Sequence, residues 1–311
     1  MVWFKSMGEF DLIERCFVGK GGGPSPFTLL GIGDDASLHQ LEAGMELVVS
    51  SDSSLAGVHW PVDLPLEIGA DRAICSALSD LAAMGAEPLC CWLNVMAESS
   101  DAVVQMGAGA TAALKRHGVE LVGGDTTRAL CNALSVTVAG KLPKATAMRR
   151  DQGLIDDKIW ILGRVGFHRA GLQQWFDGQK EGCFMSDFHR IEPLLTAAVQ
   201  LREQGVRCCM DVSDGLLQDA MHLASASSMG MEIELSLLPD WQQLVAELGE
   251  ESAIHYAAYG GEDYALLFTA PASMYFDGAA CIGHCSAEAG VRASLNHKTI
   301  EIEKAGYDHF K

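Results

Sequence analysis

Apolar positions along the chain follow two periods. Phe10, Ile13 and Phe17 recur at helical spacing across residues 8–18. Ile68, Ile74, Leu78 and Leu81 set one broad apolar face over 67–84, which ends at Gly85 with Pro88 just beyond. Residues 101–117, 192–204 and 216–226 also predict helices. Short apolar runs between them predict strands: 29–36 running into a tight turn, 46–52, 89–95, 120–125, 133–139, 159–163, 208–212 and 265–269. Residues 20–26, rich in Gly and Pro, predict a loop. Strands alternating with helices predict an α/β chain (α+β mixed), and the short, hairpin-like strands argue against a purely parallel sheet. Pro143, Lys144, Arg149, Arg150 and Asp151 mark a composition shift over 143–157. A boundary there gives domains 1–145 and 146–311.

Length agrees with two domains, since 311 residues exceed the usual 100–200 of one. Hydrophobic residues are 49% and charged residues 20%, which supports a packed core and excludes a disordered chain. The 22 Lys and Arg against 41 Asp and Glu leave a net charge of −19. That excess argues against nucleic-acid and anionic-membrane partners, and phosphate handling would need metal cations to offset it. No apolar run reaches membrane-spanning length, and residues 1–5 do not open a secretory leader. The ten cysteines are scattered without a C-x-x-C pair, which predicts reduced core thiols in a cytoplasmic protein. Cys281, His284 and Cys285 form one compact Cys/His group, too few for a closed zinc site.

One chemical pattern recurs. Apolar strand ends run into small residues and acids at Asp34-Asp35, Ser51-Asp52, Gly124-Asp125 and Asp211-Val212-Ser213-Asp214, and Asp80 lies within an apolar helix. Side chains alternate along a strand, so Ser50 and Asp52 share a face, as do Asp211 and Ser213, and only one of Asp34 and Asp35 meets a shared site. Converging carboxylates repel one another, and hard divalent cations with phosphate ligands relieve that repulsion. Each residue also has a bland role open to it. These are a turn for Asp34-Asp35, a helix cap for Asp214 and an ion pair for Asp80. A loop position serves for His59, and surface charge for Arg128 and Arg150. No G-x-x-x-x-G-K-[ST], no strand-linked G-x-G-x-x-G and no compact nucleophile motif is present. Pattern alone thus gives metal-dependent phosphate chemistry without a substrate, or an acidic cation-binding scaffold.

The chain resembles the thiamine-monophosphate kinase family of the aminoimidazole ribonucleotide synthetase-like (PurM-like) superfamily. The resemblance rests on GEFDLI (8–13), GIGDDA (31–36), SSDSSLAGVHW (50–60), LSDLAAMGAEP (78–88), GGDTTR (123–128), DVSDGL (211–216), GGEDYAL (260–266) and GYDHF (306–310). The Asp-Gly pieces occur across the superfamily; GGEDY and GYDHF point to the kinases and away from its ligases and synthetases. The resemblance implies a two-domain PurM-like fold, with an N-terminal mixed sheet carrying helices and a C-terminal α/β domain. It implies a cytoplasmic homodimer joined through the N-terminal sheets. It implies phosphorylation of thiamine monophosphate to thiamine diphosphate, with ATP as co-substrate and several Mg²⁺ ions, by direct in-line transfer that requires no general base. Asp35, Ser50, Ser51, Asp52, Asp80, Asp125, Asp211 and Asp214 match metal ligands. Gly124, Asp125, Arg150 and Ser213 match nucleotide contacts, and His59 and Glu262 match substrate contacts. The chain departs from the family pattern at Ile155-Asp156-Asp157, Phe167-His168-Arg169, Arg190-Ile191-Glu192-Pro193 and Lys304.

Overall fold

The computed structural model describes residues 9–33 and 36–301. Its chain divides into two compact units, residues 1–81 with 86–145, and 82–85 with 146–311. Asp34, Asp35, Lys304 and the GYDHF segment lie outside the described residues.

The first unit runs α1 (Glu9–Cys16), β1 (Thr28–Leu30), β2 (Leu38–His39), β3 (Met45–Leu55), α2 (Leu66–Ala83), β4 (Glu87–Ala97), α3 (Ser100–Arg116), β5 (Glu120–Arg128) and β6 (Ala133–Pro143). Four strands form a mixed sheet in the order β3-β6-β4-β5, antiparallel except for the β4–β5 pair. Strand β3 shows a two-residue rhythm. Val48, Ser50, Asp52 and Ser54 are buried or half-buried, while Leu47, Val49, Ser51 and Ser53 are exposed. One face of the sheet is therefore open along β3, though Phe27 covers Cys90 and Ala139 on that face, and the other carries the core with Ile74, Leu78, Leu81, Met106, Leu134 and Leu142. Ser99 starts α3 by accepting the Ala102 N–H on its hydroxyl, and Lys115 and Arg116 complement its C-terminal end.

The second unit runs β7 (Lys158–Leu162), α4 (Phe167–Phe176), α5 (Met185–His189), α6 (Leu195–Glu203), β8 (Cys208–Asp211), α7 (Leu216–Ala226), β9 (Gly230–Glu234), a 3₁₀ turn at Leu235–Leu237, α8 (Trp241–Leu248), α9 (Glu250–Tyr259), β10 (Leu266–Ala270), β11 (Ala279–Ser286), β12 (Gly290–Leu295) and β13 (Lys298–Ile300). Seven strands pair in the order β13-β12-β9-β11-β7-β10-β8, with β9–β12 parallel and the rest antiparallel. The core includes Ile161, Phe167, Met210, Leu217, Leu223, Met231, Leu267 and Ile282. Along β11, Cys285 is buried and His284 exposed, so the compact Cys/His group is split by strand alternation. All ten cysteines are free thiols.

Candidate functional site

In the first unit, β3 and α2 build one oxygen-rich group. Ser50 and Asp52 project from the same side of β3, and Ser76 and Asp80, four apart, project from one side of α2. The Ser50 hydroxyl donates to Asp80 Oδ2 at 2.5 Å, and the Ser76 hydroxyl donates to Asp52 Oδ2 at 3.0 Å. The Ser53 N–H donates to Asp52 Oδ1 at 2.8 Å. Asp80, the mid-helix acid, thus accepts a serine hydroxyl from β3. His59 follows β3, and its Nδ1 accepts the Leu55 N–H at 3.1 Å. That bond places the neutral imidazole's proton on Nε2.

Ser51 lies on the other face. Its hydroxyl meets Thr137 Oγ1 at 3.0 Å, away from Ser50 and Asp80. Ladder register puts Asp125 on that open face too, since Asp125 sits beside Asn94, Asn94 beside Ser135 and Ser135 beside Ser53. The structure therefore distributes the first unit's acids over both faces. Gly124 precedes Asp125 with φ +145°, and a Cβ there would lie 1.9 Å from the Leu93 carbonyl oxygen, so only glycine brings β5 this close to β4. A cavity of about 510 Å³ opens beside these residues. Gly123, Gly124, Asp125 and Thr126 line it together with 31–33, Ser37, His39, Trp92, Ile13 of α1 and Phe17 just after it.

In the second unit two loops form a platform. The 211–215 loop follows β8, and the 260–264 loop precedes β10. They are laced by backbone bonds, Glu262 N–H to Ser213 O at 2.7 Å and Tyr264 N–H to Val212 O at 2.8 Å. Glu262 and Tyr264 hold positive φ, +58° and +51°, and a Cβ on Gly261 would reach within 2.8 Å of Ser213 O. Asp211, Ser213, Asp214 and Glu262 thus belong to one group. Asp214 does not cap α7: Gly215 is the N-cap residue, and Asp214 Oδ2 takes a bond from Gln218 at 3.3 Å. Arg150 is exposed, and its carbonyl accepts the Ser227 hydroxyl at 2.6 Å, which ties residue 150 to the end of α7.

Two further acids shape this platform. Asp219, in the first turn of α7, accepts the Ser213 and Asp214 N–H groups on Oδ2 at 2.9 and 3.0 Å. Burial pushes its pKa up to about 8 despite those donors. Asp263 is fully buried and accepts the Gly166 and His168 N–H groups at 2.8 and 3.4 Å, at the start of α4. Burial raises its pKa against those donors and His168, whose Nδ1 lies 3.6 Å from Asp263 Oδ1. Sequence reading missed both residues. The signal for Asp219 was an acid in a helix's first turn, directly after a glycine-terminated loop.

Among the described residues no three Asp, Glu, His or Cys side chains converge into a ready-made metal cage. The donors around Asp52 and Asp80 are nonetheless hard oxygens, two carboxylates and two hydroxyls, which suits Mg²⁺. That ion takes one or two protein carboxylates and completes its shell with water and phosphate.

The chain matches the family model "AIR synthase related protein, N-terminal domain" over residues 33–142 and "AIR synthase related protein, C-terminal domain" over 155–272. Fold and site together define a two-domain protein of the AIR synthase related class. It is 32% identical over 326 aligned positions to the thiamine-monophosphate kinase of Escherichia coli (strain K12), covering 97% of this chain and 98% of that one. The chain belongs to the thiamine-monophosphate kinase family, and it is a kinase. A crystal structure of thiamine-monophosphate kinase from Stenotrophomonas maltophilia K279a superposes with TM-score 0.79 at 34% identity, covering 88% of this chain and 93% of that one. The structure described as AaThiL complexed with AMPPCP and TMP superposes with TM-score 0.77 at 25% identity, covering 99% and 100%. The mixed-sheet, two-domain fold expected from the sequence is the one observed.

Proposed function

We propose that the protein transfers the γ-phosphoryl group of ATP to the phosphate of thiamine monophosphate, giving thiamine diphosphate and ADP by in-line displacement with Mg²⁺ bound. The observation that carries this reading is a site of carboxylates, hydroxyls and glycine-enabled backbone turns in a chain similar over 97% of its length to a thiamine-monophosphate kinase. The acceptor is a phosphate oxygen that is already anionic, so the protein needs no general base and positions both substrates instead.

Ser50, Asp52 and Asp80 would hold Mg²⁺ on the α2 side of the first unit's sheet, and Ser51 and Asp125 would hold it on the other face; Asp211 and Asp214 would do so in the second unit, and Asp35 belongs to the same proposed set. Bound Mg²⁺ supplies positive charge to the phosphate oxygens. The backbone at Gly124 and the Ser213 hydroxyl contact the nucleotide, with Arg150 adding positive charge. His59 offers Nε2–H, and Glu262 a carboxylate, to thiamine monophosphate. The ten free thiols support a reducing, cytoplasmic setting. The net charge of −19 supports small anionic substrates carried with metal over nucleic acid or an anionic membrane. No helix among the described residues is long and apolar enough to cross a membrane. The apolar residues on the sheet's open face support a homodimer.

The test is product identification by mass after incubation with ATP, Mg²⁺ and thiamine monophosphate. Thiamine diphosphate should form one-for-one with ADP, chelation should stop it, and Asp52→Asn should lower kcat at least about 100-fold while the fold survives. Folded wild-type protein that binds ATP but forms no thiamine diphosphate would sink the reading.

A further inference from the structure

The 260–264 loop carries Glu262, and it is held in two directions. The Glu262 and Tyr264 N–H groups bond to Ser213 O and Val212 O in the 211–215 loop. The residue between them, Asp263, reaches α4 instead. Its side chain has no exposed surface. Oδ2 accepts the Gly166 N–H at 2.8 Å, and Oδ1 accepts the His168 N–H at 3.4 Å, 97 and 95 residues away along the chain.

Those amides open α4, where backbone N–H groups have no partner within the helix. The N-cap residue is Gly166, which makes no side-chain cap. Asp263 therefore caps α4 from another element, and its carboxylate meets the favourable end of the helix dipole. Close packing permits this reach. Gly166 holds φ +88°, and a Cβ on it would lie 2.9 Å from Ala257 N of α9. A Cβ on Gly260 would lie 2.8 Å from Arg169 Cβ of α4. The loop thus leaves α9 against the first turn of α4.

Glu262 and Tyr264 sit at φ +58° and +51°, conformations that residues with side chains keep only where their surroundings fix them. Backbone bonds fix one side of this loop, and Asp263 supplies the other. The 211–215 loop has a separate anchor, since Asp219 takes the Ser213 and Asp214 N–H groups.

We propose that Asp263 is a positioning residue for the acceptor substrate: by pinning the 260–264 loop to the start of α4, it sets the direction in which Glu262 presents its carboxylate to thiamine monophosphate. The inference rests on the reading above, which gives Glu262 that contact, and adds the residue that aims it. Because Ser213 is anchored through Asp219, loss of Asp263 disturbs the acceptor and spares the nucleotide.

Steady-state kinetics of the full chain with Mg²⁺ tests it, beside calorimetric titration with AMPPCP. Asp263→Ala and Asp263→Ser both remove the bridge to Gly166, and each should raise KM for thiamine monophosphate about tenfold. The Kd for AMPPCP should stay within about threefold of wild type, which also shows that the variants fold. Asp263→Asn keeps an accepting oxygen and should stay within about threefold in both. A residue that acts through Glu262 has nothing to aim once that carboxylate is gone. Adding Asp263→Ala to Glu262→Ala should therefore change KM by less than about twofold. Five results overturn the proposal and leave the kinase reading intact. They are an unchanged KM in the alanine and serine variants, an equal rise with and without the Glu262 carboxylate, AMPPCP binding weakened as much as KM is raised, Asp263→Asn as poor as Asp263→Ala, and loss of the fold in both the alanine and serine variants. Wild-type protein that forms no thiamine diphosphate would remove the kinase reading, and this inference with it.

Discussion

Asp219 gathers two amide protons on a single carboxylate oxygen, and those amides belong to Ser213 and Asp214. The residue therefore sets the course of the loop without belonging to it. With its pKa near 8, the carboxyl is largely protonated at neutral pH, so a neutral acceptor can stand in for it. Asp219→Asn keeps the accepting oxygen and should retain turnover within about threefold, whereas Asp219→Ala leaves two donors unpaired at about 1–3 kcal/mol each. The alanine variant should lose about 2 kcal/mol of stability in thermal or urea unfolding and at least tenfold in kcat/KM. Full stability and turnover in Asp219→Ala would show that the loop is held by its strand bonds alone. The shared face of Ser50 and Asp52 was legible in the sequence, because strand alternation fixes it. That Ser50 and Asp52 would each find its own α2 partner, Asp80 and Ser76, was not, because that pairing depends on how α2 lies over β3. Nor could the register that puts Ser51 and Asp125 on the open face be read before β6 and β4 were placed between them.

Long elements with steady periodicity were readable: the helix expected over 67–84 is Leu66–Ala83, and that over 101–117 is Ser100–Arg116. The strands from β9 and from β11 to β13, and the helices α4, α8 and α9, were not. Their apolar stretches are short, and Gly, Ser and His interrupt them, so neither period runs long enough to show. Their arrangement is fixed by contacts distant in sequence, and Glu234 at the end of β9 is the clearest of these. Its carboxylate accepts the Ser236 and Ser294 hydroxyls and the Asn296 and His297 N–H groups, the last two from the β12–β13 turn. Asn296 and His297 both hold positive φ, +50° and +65°, as the two-residue turn of a right-twisted hairpin requires. Burial opposes ionisation of Glu234, yet the donors from Ser236, His297, Ser294 and Asn296 outweigh it and lower the pKa from 4.5 to about 2. A depressed carboxyl stabilises the fold above its unfolded pKa and loses that contribution as pH falls toward its folded pKa. Glu234→Gln should therefore cost about 2 kcal/mol at pH 7, with the melting-temperature gap to wild type closing as pH falls from 4.5 toward 2. A gap unchanged on acidification would mean that the hairpin depends on shape and not on the carboxylate's charge.

At the scale of the molecule, the two family models match residues 33–142 and 155–272, one in each half of the chain. What the sequence could not show is which sheet surface is left open. Leu47 and Val49 are 48% and 54% exposed on β3, side by side with Ser51 on the uncovered face. A mixed sheet with helices on one side only needs something against its other side when that side is apolar. A second copy of the chain is the partner proposed here, and an interface of about 1,200–2,000 Å² would cover this face on both copies. The prediction is a dimeric mass in light scattering for the wild type and a monomeric mass for Leu47→Glu/Val49→Glu. Two carboxylates pressed into an apolar interface without partners cost more than a surface of that size recovers, whereas on a free monomer they only replace exposed apolar side chains with soluble ones. The double variant should therefore keep its melting profile as an isolated subunit while losing its partner. A wild type that runs as a monomer at every concentration would leave the apolar face of β3 without its second copy and remove the homodimer from the proposal.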